Sequence, residues 1–156
     1  MSISSYARRV RAALPLAAAC AAFFLPSPVA SSGDDVGYLL QTINSERITR
    51  HLRPLRLDSM LCRLAFEHAA DMAARHYFAH TTPEGKDPFA RMAAARYRFG
   101  YAAENLAVDR SIDSIARDFF LSPEHRANVL GPHYARVGIG AVYAPVGAIV
   151  VEDFSD

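Results

Sequence analysis

The sequence is short of cysteine, of long hydrophobic runs and of basic blocks, and each shortage closes off a class of function. Only Cys20 and Cys62 occur in 156 residues. Cys20 lies in an N-terminal apolar run, so removal of that run leaves no partner for an intrachain disulfide. Cys62, beside Leu61 and Leu64, reads as a small buried apolar residue. No polybasic stretch marks a nucleic-acid-binding surface. H-E-x-x-H, C-x-x-C and G-x-S-x-G are all missing, so no zincin helix, cysteine pair or nucleophile elbow is encoded. No internal repeat or low-complexity tract is present.

The apolar run Ala12–Leu25 has 14 residues, short for a spanning helix. Arg8, Arg9 and Arg11 precede it, and Pro26, Pro28 and Ala30 end it before the polar "SSGDD". That order is a secretory signal peptide over 1–30, with a cut after Ala30. It implies a secreted, periplasmic or extracellular protein with no stable membrane span after cleavage. If the segment is retained, it becomes a membrane anchor. With its three arginines removed, the remainder holds 14 Lys+Arg against 16 Asp+Glu, a net of −2. Residues 31–35 form a short polar lead, and 36–156 form one domain.

Val36, Leu39, Leu40, Ile43 and Arg47 recur at helical spacing and predict a helix over 35–50. "RPLRLD" follows as a loop. Asp58 is the N-cap of a second helix to about Arg75, whose apolar face includes His68. Asp87 and Pro88 start a third helix through about Ala95. Tyr101–Val108 has a β-like end. Ile112, Ile115, Ala116 and Phe119 mark a fourth helix. Ser122 and Pro123 open a short fifth, which Gly131-Pro132 stops. "RVGIGAVYA" and "GAIVVEDF" around "APVG" read as a hairpin. Helices with a small antiparallel sheet define an α+β fold.

Six histidines are the candidates for chemistry. His68 reads as a core histidine, His51 as solvated, and His76 as a cation at a helix C-terminus. His133 reads as a surface or hydrogen-bonding residue. His80 leaves a helix after Tyr77-Phe78, and His125 sits at the third position of the fifth helix. Glu104 lies in an apolar run where a carboxylate is costly to bury alone. Two histidines and a carboxylate would suit zinc or another divalent cation if the fold joined them. Spacing alone does not establish that junction.

The stretches "INSERITRHLRPLRLDSML", "AFEHAADMAARHYFAH", "TPEGKDPFARM", "AENLA", "SPEHRANVL" and "VGIGAVY…VVEDF" together resemble a bacterial member of the CAP superfamily. This is the family of cysteine-rich secretory proteins, antigen 5 and pathogenesis-related proteins, also called SCP-like domains. The resemblance spans 36–154. It implies an α-β-α sandwich with a groove lined by two His and two Glu, which in several members bind a divalent cation. His80, Glu104 and His125 match three of the four. Ser122 stands where many members have the second Glu, and Glu124 is the nearby acid; both are possible additional groove residues. Ala103, Phe119 and Arg96 stand where Gly, Trp and Gly are common. Arg126 and Asn128 are read as structural anchors of the fifth helix.

Three functions compete. One is a secreted binding module for a lipid, cell-wall component or protein. A second is a metal-assisted hydrolase of peptides or esters, with Glu104 as ligand or general base. The third is a structural domain in which the polar triad is only a buried hydrogen-bond network.

Overall fold

The structure, a computed structural model, describes residues 29–30 and 33–156. The expected signal peptide lies outside the described residues except for Val29 and Ala30. Those two residues form β1 (Val29–Ala30), antiparallel to β4 (Arg136–Ala144). The polar lead does not stay a lead: α1 (Gly33–Thr49) begins two residues earlier than its apolar face suggests, with Asp34 and Asp35 in its first turn. Acidic side chains there complement the exposed N–H groups of the helix start.

The "RPLRLD" loop contributes β2 (Arg56–Leu57), which pairs in parallel with Arg136 and Val137. Pro54 holds the chain out of helix, and Arg56 and Asp58 donate their N–H groups to Ala135 O and Val137 O at 3.0 Å each. The capping signals act as read. Asp58 accepts from Met60 N and Leu61 N at the head of α2 (Ser59–Arg75). Asp87 accepts from Ala90 N at the head of α3 (Pro88–Ala94). Ser111, a cap the sequence reading did not single out, opens α4 (Ile112–Leu121), and Ser122 caps α5 (Pro123–Val129). Arg96, just past α3, has φ 57°, the left-handed conformation that favours the glycine common at this point.

β3 (Ala102–Asp109), β4 and β5 (Gly147–Ser155) form the body of a five-stranded sheet with path β1-β4-β5-β3, β2 lying off it on β4. All pairings but that of β2 are antiparallel. Strand residues alternate between the faces. On one face, Ala65, Ala69 and Met72 of α2 meet Leu106, Val142, Ile149 and Val151. On the other, Leu39 and Ile43 of α1, Ile115 and Phe119 of α4 and Val129 of α5 meet Val137, Ile139, Ala141, Val150 and Phe154. This is the α-β-α sandwich of the α+β class.

Gly138 and Gly140 let α2 lie close on β4. A Cβ on Gly138 would overlap Leu61, and one on Gly140 would overlap Ala65 and Phe66. On the opposite face Arg47 is fully buried. Its guanidinium donates to Val129 O at 2.7 Å, Gly131 O at 3.0 Å, Arg53 O at 2.8 Å and Tyr134 O at 3.3 Å. One side chain thus ties α1 to the exit of α5.

Candidate functional site

β3 is an edge strand, and its alternation sends neighbouring residues to opposite faces. Glu104 points to the α2 face, beside its cross-strand partner Asp153. Asn105 points to the α5 face, beside Glu152. His80 and His125 therefore approach one strand from its two sides.

On the α2 face His80 Nδ1 donates to Glu104 Oε1 at 2.7 Å. The acceptor is a carboxylate, so Nδ1 carries the proton and Nε2 is left with a lone pair in the neutral ring. The His80 side chain is 53 % exposed, whereas that of Glu104 is 1 % exposed. The other Glu104 oxygen takes an ion pair from Arg91 of α3. Arg91 also donates to His80 O at 2.7 Å, so one guanidinium fixes both the loop and the carboxylate. Asp153 beside them is held well above the usual carboxylate range, first by burial and then by the charge of Glu104.

On the α5 face Asn105 Nδ2 donates to His125 O at 3.2 Å and to Glu152 Oε2 at 3.1 Å. Asn128 Nδ2 donates to Asn105 Oδ1 at 2.9 Å. The His125 ring stands edge-on to Phe119, centroids 5.2 Å apart. Its Nδ1 is buried without a hydrogen-bond partner among the described residues. Burial, then the nearby charge of His80, pushes the His125 pKa down. Glu152 is fully buried, and burial pushes its carboxyl up to about 8 against the opposing bond from Asn105.

His80 and Glu104 are thus in contact, and His125 lies within electrostatic reach. Among the described residues, no three His, Cys, Asp or Glu side chains are grouped to hold a metal ion. Chemistry agrees with that geometry. Both Glu104 oxygens are engaged, one by a fixed cation, so zinc at His80, Glu104 and His125 would have to compete with Arg91. Ser122 accepts from His125 N at 3.4 Å as the helix cap, and Glu124 is exposed in the first turn of α5.

The remaining polar residues sort clearly. His68 is buried, and its Nε2 donates to Ala79 O at 3.0 Å. His76 ends α2 with φ 55°, and His51 is exposed. His133 stacks on Tyr101 at 4.4 Å. Asn128 anchors α5, but Arg126 is exposed and its guanidinium takes no hydrogen bond among the described residues. Its place in the fold is taken by Arg47, whose position in α1 faces the core while that of Arg126 in α5 faces water.

Sequence reasoning missed Arg91, Glu152 and Asp153. The two acids left a signal: they are the charges in the otherwise apolar "GAIVVEDF", on a strand paired along both sides. Arg91 left none, because only the meeting of α3 with β3 makes it the partner of Glu104.

The fold and site define an SCP-type α-β-α domain, and the chain belongs to the cysteine-rich secretory protein family (CAP), whose family model matches residues 40–154. It is similar to the uncharacterized protein YkwD of Bacillus subtilis (strain 168), 29 % identical over 117 residues. That match covers 74 % of this chain and 45 % of YkwD, so the chain spans less than half of this relative's length. Among solved structures it resembles an outer surface protein of Borrelia burgdorferi, with TM-score 0.77 and 21 % identity over 83 % of this chain and 98 % of that one. An extracellular SCP-domain protein of Bacillus anthracis (strain Ames) gives TM-score 0.71 and 22 % identity over 78 % and 40 %. These structural likenesses concern the fold. Among the described residues no helix is long and apolar enough to cross a membrane.

Proposed function

We propose that the chain acts outside the cytoplasm as a binding module, engaging an envelope ligand (a lipid, cell-wall component or protein) at the β3 edge between His80 and His125. The carrying observation is the double engagement of Glu104. One oxygen orients His80 and the other neutralises Arg91, so the carboxylate serves to present an exposed imidazole. His80 Nε2 is the group offered to a ligand. The signal-type N-terminus supports the location, as do the extracellular and outer-surface names of the structural relatives. A divalent cation that used Glu104 as a ligand would compete with Arg91 for the carboxylate.

The test is zinc titration by calorimetry beside His80→Ala and His125→Ala, with envelope extracts passed over the immobilised protein. The reading expects no one-to-one zinc site and a retained ligand that His80→Ala releases. Micromolar or tighter zinc binding, lost in both variants, would overturn it and turn the search to zinc-dependent hydrolysis of peptides and esters.

A second reading, metal-free hydrolysis of a peptide or ester, is favoured by the His80–Glu104 pair. A carboxylate-oriented histidine with a free Nε2 is the arrangement of a general base. Turnover of ester or peptide libraries that disappears in His80→Ala is its required result.

A further inference from the structure

The two ends of the sheet differ in chemistry. One carries the Glu104 site. The other, where β3 closes and β4 turns into β5, opens on a cavity of about 470 Å³ lined by Met72, Tyr77, Phe78, Val108, Val146 and Ile149. Phe78, Val108 and Val146 around it are 49 %, 40 % and 68 % exposed. Apolar side chains gathered at one opening mark an interaction surface.

The path of the chain indicates what covers it. β1 is antiparallel to β4, with Ala30 opposite Val142 and Val29 opposite Tyr143. The N-terminal end of β1, Val29, therefore faces the Ala144 end of β4 and the β4–β5 turn, on the side of the apolar opening. In sequence, Val29 is preceded by the apolar run Ala12–Leu25 with Arg8, Arg9 and Arg11 before it. Such a run is too short to span a bilayer, which takes about 20 residues in a helix. Its apolar and basic composition suits the interface of an anionic membrane. β1 itself lies on the leader side of a cut after Ala30, so the sheet is complete only in the chain that keeps these residues.

We propose that, in the chain retaining its N-terminal segment, this apolar end docks on a lipid bilayer surface. Phe78, Val108 and Val146 seat in the interface and act as a contact additional to the apolar N-terminal sequence, the second that stable anchoring needs. Glu104 precedes Val108 by four residues, about 13 Å along the strand, so the His80 and His125 edge is held off the membrane and open to ligands.

The sequence contains no tryptophan, which allows a single introduced Trp to report depth. Full-length chains carrying Val146→Trp or Leu121→Trp would be mixed with phosphatidylethanolamine–phosphatidylglycerol vesicles bearing brominated acyl chains. Leu121, 71 % exposed at the end of α4, is the control at the His125 end. The expected result is vesicle binding with quenching at Val146→Trp at least threefold that at Leu121→Trp. Adding Phe78→Ser should cut the Val146→Trp quenching at least twofold with an unchanged far-UV spectrum. Failure of the full chain to bind vesicles would overturn the proposal, as would equal quenching at both positions. Shielding of Val146→Trp in vesicle-free solution, by a second copy or a co-purified apolar molecule, would also overturn it.

Discussion

The guanidinium of Arg91 on α3 rests on the carboxylate of Glu104 on β3, the two side chains being 10 % and 1 % exposed. The pair is central to the site, because the carboxylate that Arg91 holds is the one that accepts from His80 Nδ1. Removing one partner of a buried ion pair leaves an uncompensated charge, at a cost of about 3–5 kcal/mol. Arg91→Ala should lower unfolding free energy in urea by that amount. Arg91→Ala with Glu104→Gln should recover more than half of it, and a double-mutant cycle measures the coupling.

Arg47 is buried with its guanidinium on four backbone carbonyls. Arg47→Met keeps much of the apolar stem and orphans those acceptors. Each buried unsatisfied polar group costs about 1–3 kcal/mol, and water can recover part of the loss. Net destabilisation of about 3 kcal/mol is expected, with faster amide exchange at the exit of α5 than in α2.

Gly140→Ala places a methyl group inside the backbone of α2 at Ala65 and Phe66. Backbone cannot rotate away as a side chain can. Overpacking of about 1–3 kcal/mol or more should appear as a lowered Tm, while Gly37→Ala, with open space around its Cβ position, should not lower it.

Glu152 has a folded-state pKa of about 8, raised by complete burial, against an unfolded value of about 4.3. Between these values the folded protein holds a proton that the unfolded chain releases. Stability is therefore full below about pH 4, falls as pH rises toward about 8, and levels above it. Glu152→Gln keeps the neutral form and the acceptor for Asn105. The variant should match wild type near about pH 4, then gain up to about 1.4 kcal/mol per pH unit until about pH 8, measured by urea unfolding across pH.

The local grammar was legible because it is made by neighbours in the chain. Asp58, Asp87 and Ser122 cap helices through contacts within three residues, and "APVG" separates two runs whose period is that of strands. Arg47 declared its inward direction by spacing, though not its partners. The site was legible only in part. The family pattern pointed to His80, Glu104 and His125, and the structure sets His80 Nδ1 against Glu104 Oε1. Arg91 was invisible, since its partner lies thirteen residues away across a loop that only packing closes.

By itself the sequence determined the five helices, most of their caps and the apolar faces, set by short-range periodicity and covalent conformational preference, while the order of its motifs carried the resemblance to the family. Tertiary structure alone decided which polar side chains meet at the β3 edge. Glu104 and Asn105 are adjacent in sequence yet face opposite sides of β3, so one joins His80 and Arg91 while the other joins His125 and Glu152. Electrostatic partnership depends on distance through space, and the pleat of one edge strand assigns it.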